Sequence, residues 1–237
     1  MTEVILKEAI VLAGGLGTRL RGEVPDLPKC MAPVGGRPFI EYVTEHFRRA
    51  GVERFVFALG YKSAAFDDFF QRQFPNGGYT VSMEERPLGT GGAIRQACAL
   101  AVERTVLILN GDTFFRIGTG ELGAFHAAHR ADCTICLKPM RGFDRFGAVE
   151  LDGEQRVSQF LEKRFTPQGL INGGVYALDR EKFLQERLPA VFSFENDYLE
   201  KSLVERRVYG LVQDAYFIDI GIPEDYRRVQ QEINQLQ

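Results

Sequence analysis

Gly14, Gly15 and Gly17, followed by Arg19 and Lys29, are the residues of this chain whose types and spacing most directly predict chemistry. They come straight after Ala9-Ile10-Val11-Leu12-Ala13, an apolar run without alternation that reads as a buried parallel strand. Glycines at a strand end let bare backbone N–H groups close on an anion. Arg19 and Lys29 add the positive charge that a polyphosphate needs. The segment predicts a nucleotide-phosphate cradle. Two commoner glycine-rich loops fail on named residues. A Walker-type loop would follow its last glycine with Lys and then Ser or Thr, where this chain has Thr18-Arg19. A dinucleotide-binding loop would carry glycine at Leu20 and an acid closing the second strand, which here ends at Gly60-Tyr61.

A second group is acidic. Thr105-Val106-Leu107-Ile108-Leu109 reads as the clearest buried strand, and it runs into Asn110-Gly111-Asp112-Thr113. A carboxylate at the carboxyl end of a central strand lies where open α/β sheets bind ligands. Asp112 is also a hard oxygen donor suited to Mg²⁺. Asp219-Ile220-Gly221-Ile222-Pro223 places another acid at a strand end, ahead of a helix opened by proline. Sulfur and imidazole chemistry finds less support. Cys133 and Cys136 stand three apart in a strand-like run, so they face opposite ways, and no second pair completes a zinc site. Cys30, Cys98, Cys133 and Cys136 are expected as buried free thiols in a reducing compartment. His126 and His129 lack an acidic or thiol companion and are expected on a solvated helix face, without metal.

Strands and helices alternating through the first half must position these groups. Expected are a helix from Arg37 to about Ala50 stopped by Gly51, a strand over 54–59, and a helix near 63–73 with Phe66, Phe69 and Phe70 as a core stripe. A strand over 79–83 follows, and then glycines at 89, 91 and 92 that leave room for a flat ligand before a helix from Ala93 to about Val102. A helix over 121–130 and a strand over 133–138 complete the alternation. From Pro139 the pattern turns to short strands with glycine turns, including 157–161 and 171–176, read as a lobe folded over the sheet. Ser193 caps a helix start, strands follow at 208–212 and 216–218, and a terminal helix begins at Pro223. The expected fold class is α/β, with a Rossmann-like, mixed but mainly parallel central sheet flanked by helices.

Bulk properties narrow the function classes. A length of 237 residues suits one sizeable core. A net charge of −3 argues against a nucleic-acid partner, which requires a basic face. Glu3 and Glu8 near the start, with no long apolar segment behind them, argue against a signal peptide or a membrane helix, so a cytoplasmic location is expected.

Ala13-Gly14-Gly15-Leu16-Gly17-Thr18-Arg19-Leu20, continued to Pro28-Lys29, resembles the signature of the sugar-1-phosphate nucleotidylyltransferases, and further matching segments extend from Ala9 to Pro223. The resemblance implies the nucleotide-diphospho-sugar transferase fold as one domain over 1–237. About 1–138 would bind nucleotide, and about 139–222 would form a small lobe for the sugar phosphate. It implies nucleotide contacts at Leu12, Ala13, Gly14, Gly15, Gly17, Thr18 and Arg19, and a base site at Glu84, Pro87, Gly89 and Thr90. A carboxylate at position 84 accepts N1–H and N2–H of guanine but faces O4 of uracil badly, which favours GTP. Mg²⁺ would be held by Asp112 and Asp219. Gly147, Glu162, Lys163, Asn172, Gly173 and Asp219 would bind the sugar phosphate. Arg19, Lys29, Asp112 and Lys163 would carry catalysis, in which a sugar-phosphate oxygen attacks the α-phosphorus and pyrophosphate leaves. The nucleophile is already an anion, so no Ser, His or Cys base is needed. Within the family, Val24-Pro25-Asp26-Leu27-Pro28-Lys29, Asn110-Gly111-Asp112-Thr113-Phe114-Phe115, Ile171-Asn172-Gly173-Gly174-Val175-Tyr176 and Phe192-Ser193-Phe194-Glu195 are most like members that act on a heptose 1-phosphate. That implies a bacterial enzyme of GDP-heptose supply for surface polysaccharide, and family members are often oligomers. Guanylyl transfer to mannose 1-phosphate or uridylyl transfer to an amino-sugar phosphate is the enzymatic alternative, and a nucleotide-sugar sensor the non-enzymatic one. Cys30 departs from the Pro or Ala usual after the lysine.

Overall fold

The computed structural model describes residues 4–15, 20, 22–60, 62–201 and 203–236. In chain order the strands and helices of the first half are β1 (Glu8–Leu12), β2 (Pro33–Val34), β3 (Arg37–Pro38), α1 (Phe39–Arg49), β4 (Arg54–Leu59), α2 (Asp67–Gln73), β5 (Tyr79–Met83), α3 (Gly89–Cys98), β6 (Thr105–Asn110), β7 (Thr113–Phe115) and α4 (Thr119–Ala128). The second half adds β8 (Cys133–Phe143), β9 (Ala148–Leu151), β10 (Val157–Phe160), β11 (Thr166–Asp179), α5 (Arg180–Gln185), β12 (Val208–Val212), β13 (Phe217–Asp219) and α6 (Pro223–Gln231). Short 3-10 turns at Lys29–Met31 and Ser63–Phe66 and a π-helical turn at Phe194–Glu200 join them.

Among the described residues the main sheet runs β5-β4-β1-β6-β11-β8-β12, with β9 and β10 attached to the first half of β11. β1 pairs in parallel with both β4 and β6, β4 with β5, and β8 with β12, while β11 is antiparallel to its neighbours. This is the mixed, mainly parallel sheet that the alternating pattern predicted. Its central strands are apolar on both faces because two cores flank them. Ala9, Val11, Phe55 and Phe57 face a core shared with α1 and α2, whereas Ile10, Val56, Ala58 and Ile108 face one shared with α3. Phe66, Phe69 and Phe70 are core residues as expected, and Phe70 stacks on Tyr79 at 4.4 Å. No helix among the described residues is long and apolar enough to cross a membrane.

Three expectations change. The glycine turns read at 171–176 lie inside β11, a single 14-residue strand. Its register shifts between Asn172 and Tyr176, where Gly174 takes φ +69°, so the glycines form a bulge that lets the strand serve two neighbours. Leu170 and Ile171 pair with β9, and Val175–Asp179 pair with β6. β8 likewise continues through the expected loop to Phe143 as one strand. Third, His126 is not solvated. It is buried, with Nδ1 3.0 Å from Thr134 Oγ1, and burial pushes its pKa down to about 4. His129 packs its ring against Phe125 and Tyr209. The four cysteines are buried and free, and burial raises each thiol pKa, that of Cys98 to about 12.

Candidate active site

β6 delivers the first acid. After Asn110 the chain turns so tightly that Gly111 N donates to Leu12 O at 3.0 Å, and a Cβ on Gly111 would lie 2.8 Å from that oxygen. β7 follows and pairs antiparallel with β13, in a register that sets Asp219 opposite Thr113. Asp219 thereby arrives beside Asp112, and Ile220 N donates to Asp112 O at 3.1 Å. Lys29 enters from its 3-10 turn and closes the group. Its Nζ donates to Asp112 Oδ2 at 2.6 Å and to Asp219 Oδ1 at 3.2 Å. Gly221 N also donates to Asp219 Oδ1, and a Cβ at Gly221 would sit 2.9 Å from Lys29 Nζ, so a side chain there would push on the Lys29 ammonium.

The electrostatics of the group are those of two acids competing for one cation. The Lys29 side chain is only 14% exposed, which disfavours its charge, yet Asp112 and Asp219 outweigh that burial and raise its pKa. Asp219 is raised by burial first and by the Asp112 charge second, with Lys29 pulling the other way. Among the described residues no group of three or more His, Cys, Asp or Glu gathers into an all-protein metal cage. The two carboxylates still suit a hard divalent ion, because Mg²⁺ commonly takes one or two protein carboxylates and completes its shell with phosphates and water. The ammonium already held between them shows that the pair accommodates positive charge.

Gly147, Glu162, Lys163, Asn172 and Asp219, named from separate stretches of the chain, line one cleft of about 250 Å³. Asp219 belongs to this cleft and to the Lys29 group, so the two are continuous. Lys163 is exposed and makes no hydrogen bond or ion pair among the described residues. Gly147 also serves packing, since a Cβ there would lie 2.7 Å from Leu161 O. Gly173 does not line the cleft. The Phe115 ring lies 2.4 Å from where its Cβ would be, so its bare backbone is needed beneath β11.

On the nucleotide side, Ala13 N extends the β1 ladder to Ala58 O at 3.0 Å and brings Gly14 against Glu84. A Cβ on Gly14 would meet Glu84 Oε1 at 2.9 Å and Gly60 N at 3.1 Å, so the first glycine, the end of β4 and the end of β5 converge. Glu84 Oε2 accepts from Leu88 N at 3.0 Å, leaving Oε1 on the Gly14 side. No described residue lies within 4 Å of a Cβ built on Gly15, Pro87 is exposed, and the expectations for Gly17, Thr18 and Arg19 lie outside the described residues. Gly89, Gly91 and Gly92 differ from the sequence reading. They lie within α3, which starts at Gly89 and not at Ala93, and their missing side chains make room for Ala190 and Phe192. Thr90 Oγ1 accepts from Phe194 N at 2.9 Å in the same contact.

Sequence reasoning missed Arg145, Tyr176 and Glu195. Arg145 and Glu195 line the cleft, and Tyr176 lies buried behind it. Tyr176 and Glu195 each end a segment that carries the family resemblance, and a further signal was the capped turn: Ser193 Oγ accepts from Asn196 N, and Asp197 accepts from Ser193 N in return. That cap locates Glu195 in a first turn without saying which way it faces.

Against known proteins, the nucleotidyl transferase family model matches residues 8–235. A D-glycero-α-D-manno-heptose 1-phosphate guanylyltransferase of Aneurinibacillus thermoaerophilus is 43% identical over 226 residues, 95% of this chain and 98% of that protein. The protein of the same description from Campylobacter jejuni is 40% identical, over 92% and 96%. HddC of Yersinia pseudotuberculosis, solved in complex with GMP-PN, matches with a TM-score of 0.84 and 32% identity, over 96% of this chain and 100% of that one.

Proposed function

The chain belongs to the nucleotidyl transferase family, and from that footing we propose that it transfers the guanylyl group of GTP to D-glycero-α-D-manno-heptose 1-phosphate, giving GDP-heptose and pyrophosphate. The observation that carries this reading is the continuity of the Lys29–Asp112–Asp219 group with the cleft of Lys163. The reaction brings two polyanions together, and such a site needs cations on both sides of the point of contact. Lys163, exposed and unpaired among the described residues, is suited to draw in the sugar phosphate. Lys29, held against Asp219, is suited to the triphosphate, and Arg19 is assigned to the same phosphates from the sequence. Asp112 and Asp219 would hold Mg²⁺, which when bound supplies Lewis-acid neutralisation of phosphate charge.

The sugar-phosphate oxygen is already ionised, so no side chain need remove a proton. His126 and the four thiols are buried and do not line the cleft. Glu84, whose Oε1 lies against Gly14, supports guanine by accepting its N1–H and N2–H. In this reading the stretch from the N-terminus to about 138 serves the nucleotide and 139–222 the sugar phosphate. A cytoplasmic enzyme of this kind would feed assembly of a bacterial surface polysaccharide.

Pyrophosphate release measured with Mg²⁺ and each of GTP, ATP, UTP and dTTP, against heptose, mannose and N-acetylglucosamine 1-phosphates, tests the reading. GTP with heptose 1-phosphate should exceed every other pair by at least about tenfold. A best rate with UTP and the amino-sugar phosphate, or no turnover of any pair, would overturn it.

A further inference from the structure

We propose that Glu195 is the sugar-hydroxyl acceptor of the cleft, a specificity-determining residue held in place by Asn172 and Tyr176. The inference rests on the guanylyltransferase reading above and adds a residue to it.

Hydrogen-bond accounting at Asn172 leads there. Asn172 Oδ1 accepts from Gly174 N at 3.0 Å, which fixes the orientation of the amide, since only the oxygen can face a backbone donor. Nδ2 then carries the two hydrogens, and both are engaged: one with Tyr176 Oη at 2.7 Å and one with Glu195 Oε1 at 2.9 Å. Asn172 therefore has no hydrogen left to offer a sugar. Tyr176 is fully engaged as well, because its hydroxyl donates to Glu195 Oε1 at 2.9 Å. Two donors converge on one carboxylate oxygen, and the other is left over. Among the described residues Glu195 Oε2 accepts no hydrogen bond, and Glu195 lines the cleft.

The segment that leads into Glu195 is clamped from a second direction. Phe192 N donates to Leu88 O at 3.1 Å, Gly91 N donates to Phe192 O at 3.0 Å, and Phe194 N donates to Thr90 Oγ1 at 2.9 Å. The buried Phe194 ring packs edge-on against Tyr176 at 5.4 Å. A side chain fixed at both ends is preorganised for a ligand. Its chemistry specifies which part of the ligand. A carboxylate is acceptor-only and repels phosphate, so it faces hydroxyl donors while Lys163 serves the anionic end. Asn172 and Tyr176 are positioning residues in this arrangement.

Steady-state kinetics of the full chain with Glu195→Gln and Tyr176→Phe test the proposal. Glutamine keeps an Oε1 for Asn172 and Tyr176 and replaces the free acceptor by a donor. The KM for the sugar 1-phosphate should rise on the order of 10- to 100-fold in Glu195→Gln, with the KM for GTP and kcat changed by less than about threefold. Tyr176→Phe should move the sugar KM in the same direction by about three- to tenfold. One member of a series of monodeoxy sugar 1-phosphates should be discriminated against by the unmodified chain and not by Glu195→Gln. An unchanged sugar KM in Glu195→Gln, or equal rises for both substrates, would overturn the role. The measurements use whichever sugar 1-phosphate the pyrophosphate-release panel selects, so a failure here is distinct from a failure of the heptose reading.

Discussion

At the scale of residues, the decisive feature is one ammonium shared by two carboxylates. Lys29, Asp112 and Asp219 were each recognisable as chemistry-bearing, because a lysine after a glycine loop and acids at strand ends are local patterns. Their meeting was implied by the family resemblance and not by any local pattern, since it depends on the register that sets Asp219 opposite Thr113. Glu195 was missed for a related reason: its role follows from hydrogen bonds to Asn172 and Tyr176, which lie on another element. The shared ammonium has a measurable consequence. Lys29→Met leaves two part-buried acids facing one another without a counter-charge. In EDTA the variant should melt below the unmodified chain, and Mg²⁺ or Mn²⁺ should raise its melting temperature by more than it raises that of the unmodified chain. Its turnover with metal should fall by roughly 10²–10³. Thermal melts with and without metal check the first part. Identical melts in EDTA, with no extra metal response, would show that the ammonium does not substitute for an ion there.

Among the elements, α3 is where local reading and packing part. Its glycines were legible as positions that needed bare backbone, but not what fills the space. At Gly91 a Cβ would lie 2.1 Å from the Phe192 ring, and the Gly91 N–H bonds the Phe192 carbonyl. Gly91→Ala should therefore force α3 and the 190–194 segment apart and cost about 1–3 kcal/mol in urea denaturation. Gly15→Ala, with no described residue within 4 Å of the added methyl, should change stability by less than about 0.5 kcal/mol. β11 carries the same lesson. Glycines at 173 and 174 signal a departure from regular strand, and sequence alone does not distinguish a turn from a bulge. The strand stays whole because Leu170–Ile171 and Val175–Asp179 each find a partner.

For the molecule as a whole, stability should depend on pH through His126, which joins α4 to β8 by its contact with Thr134. Burial is the main cause of its low pKa of about 4, with Lys182 lowering it further and Asp179 and Asp132 opposing. An unfolded histidine titrates near pH 6.5, so between about pH 6.5 and 4 the unfolded chain binds a proton that the folded chain refuses. Stability is thus full above about pH 6.5 and falls as the pH drops towards 4, by on the order of 2–3 kcal/mol. His126→Gln should flatten that slope in denaturation curves taken at pH 7 and pH 4.5; an unaltered slope would assign the acid loss to other groups. The sequence by itself determined the α/β alternation, the doubly buried central strands and the identity of the charged groups, because hydrophobic period and glycine placement act over a few residues. The fold supplied how the charges meet, which neighbours the glycines of α3 pack against, and where a carboxylate is left with a free oxygen. Those outcomes turn on strand register and on hydrogen bonds between residues far apart in the chain, and no local pattern encodes either.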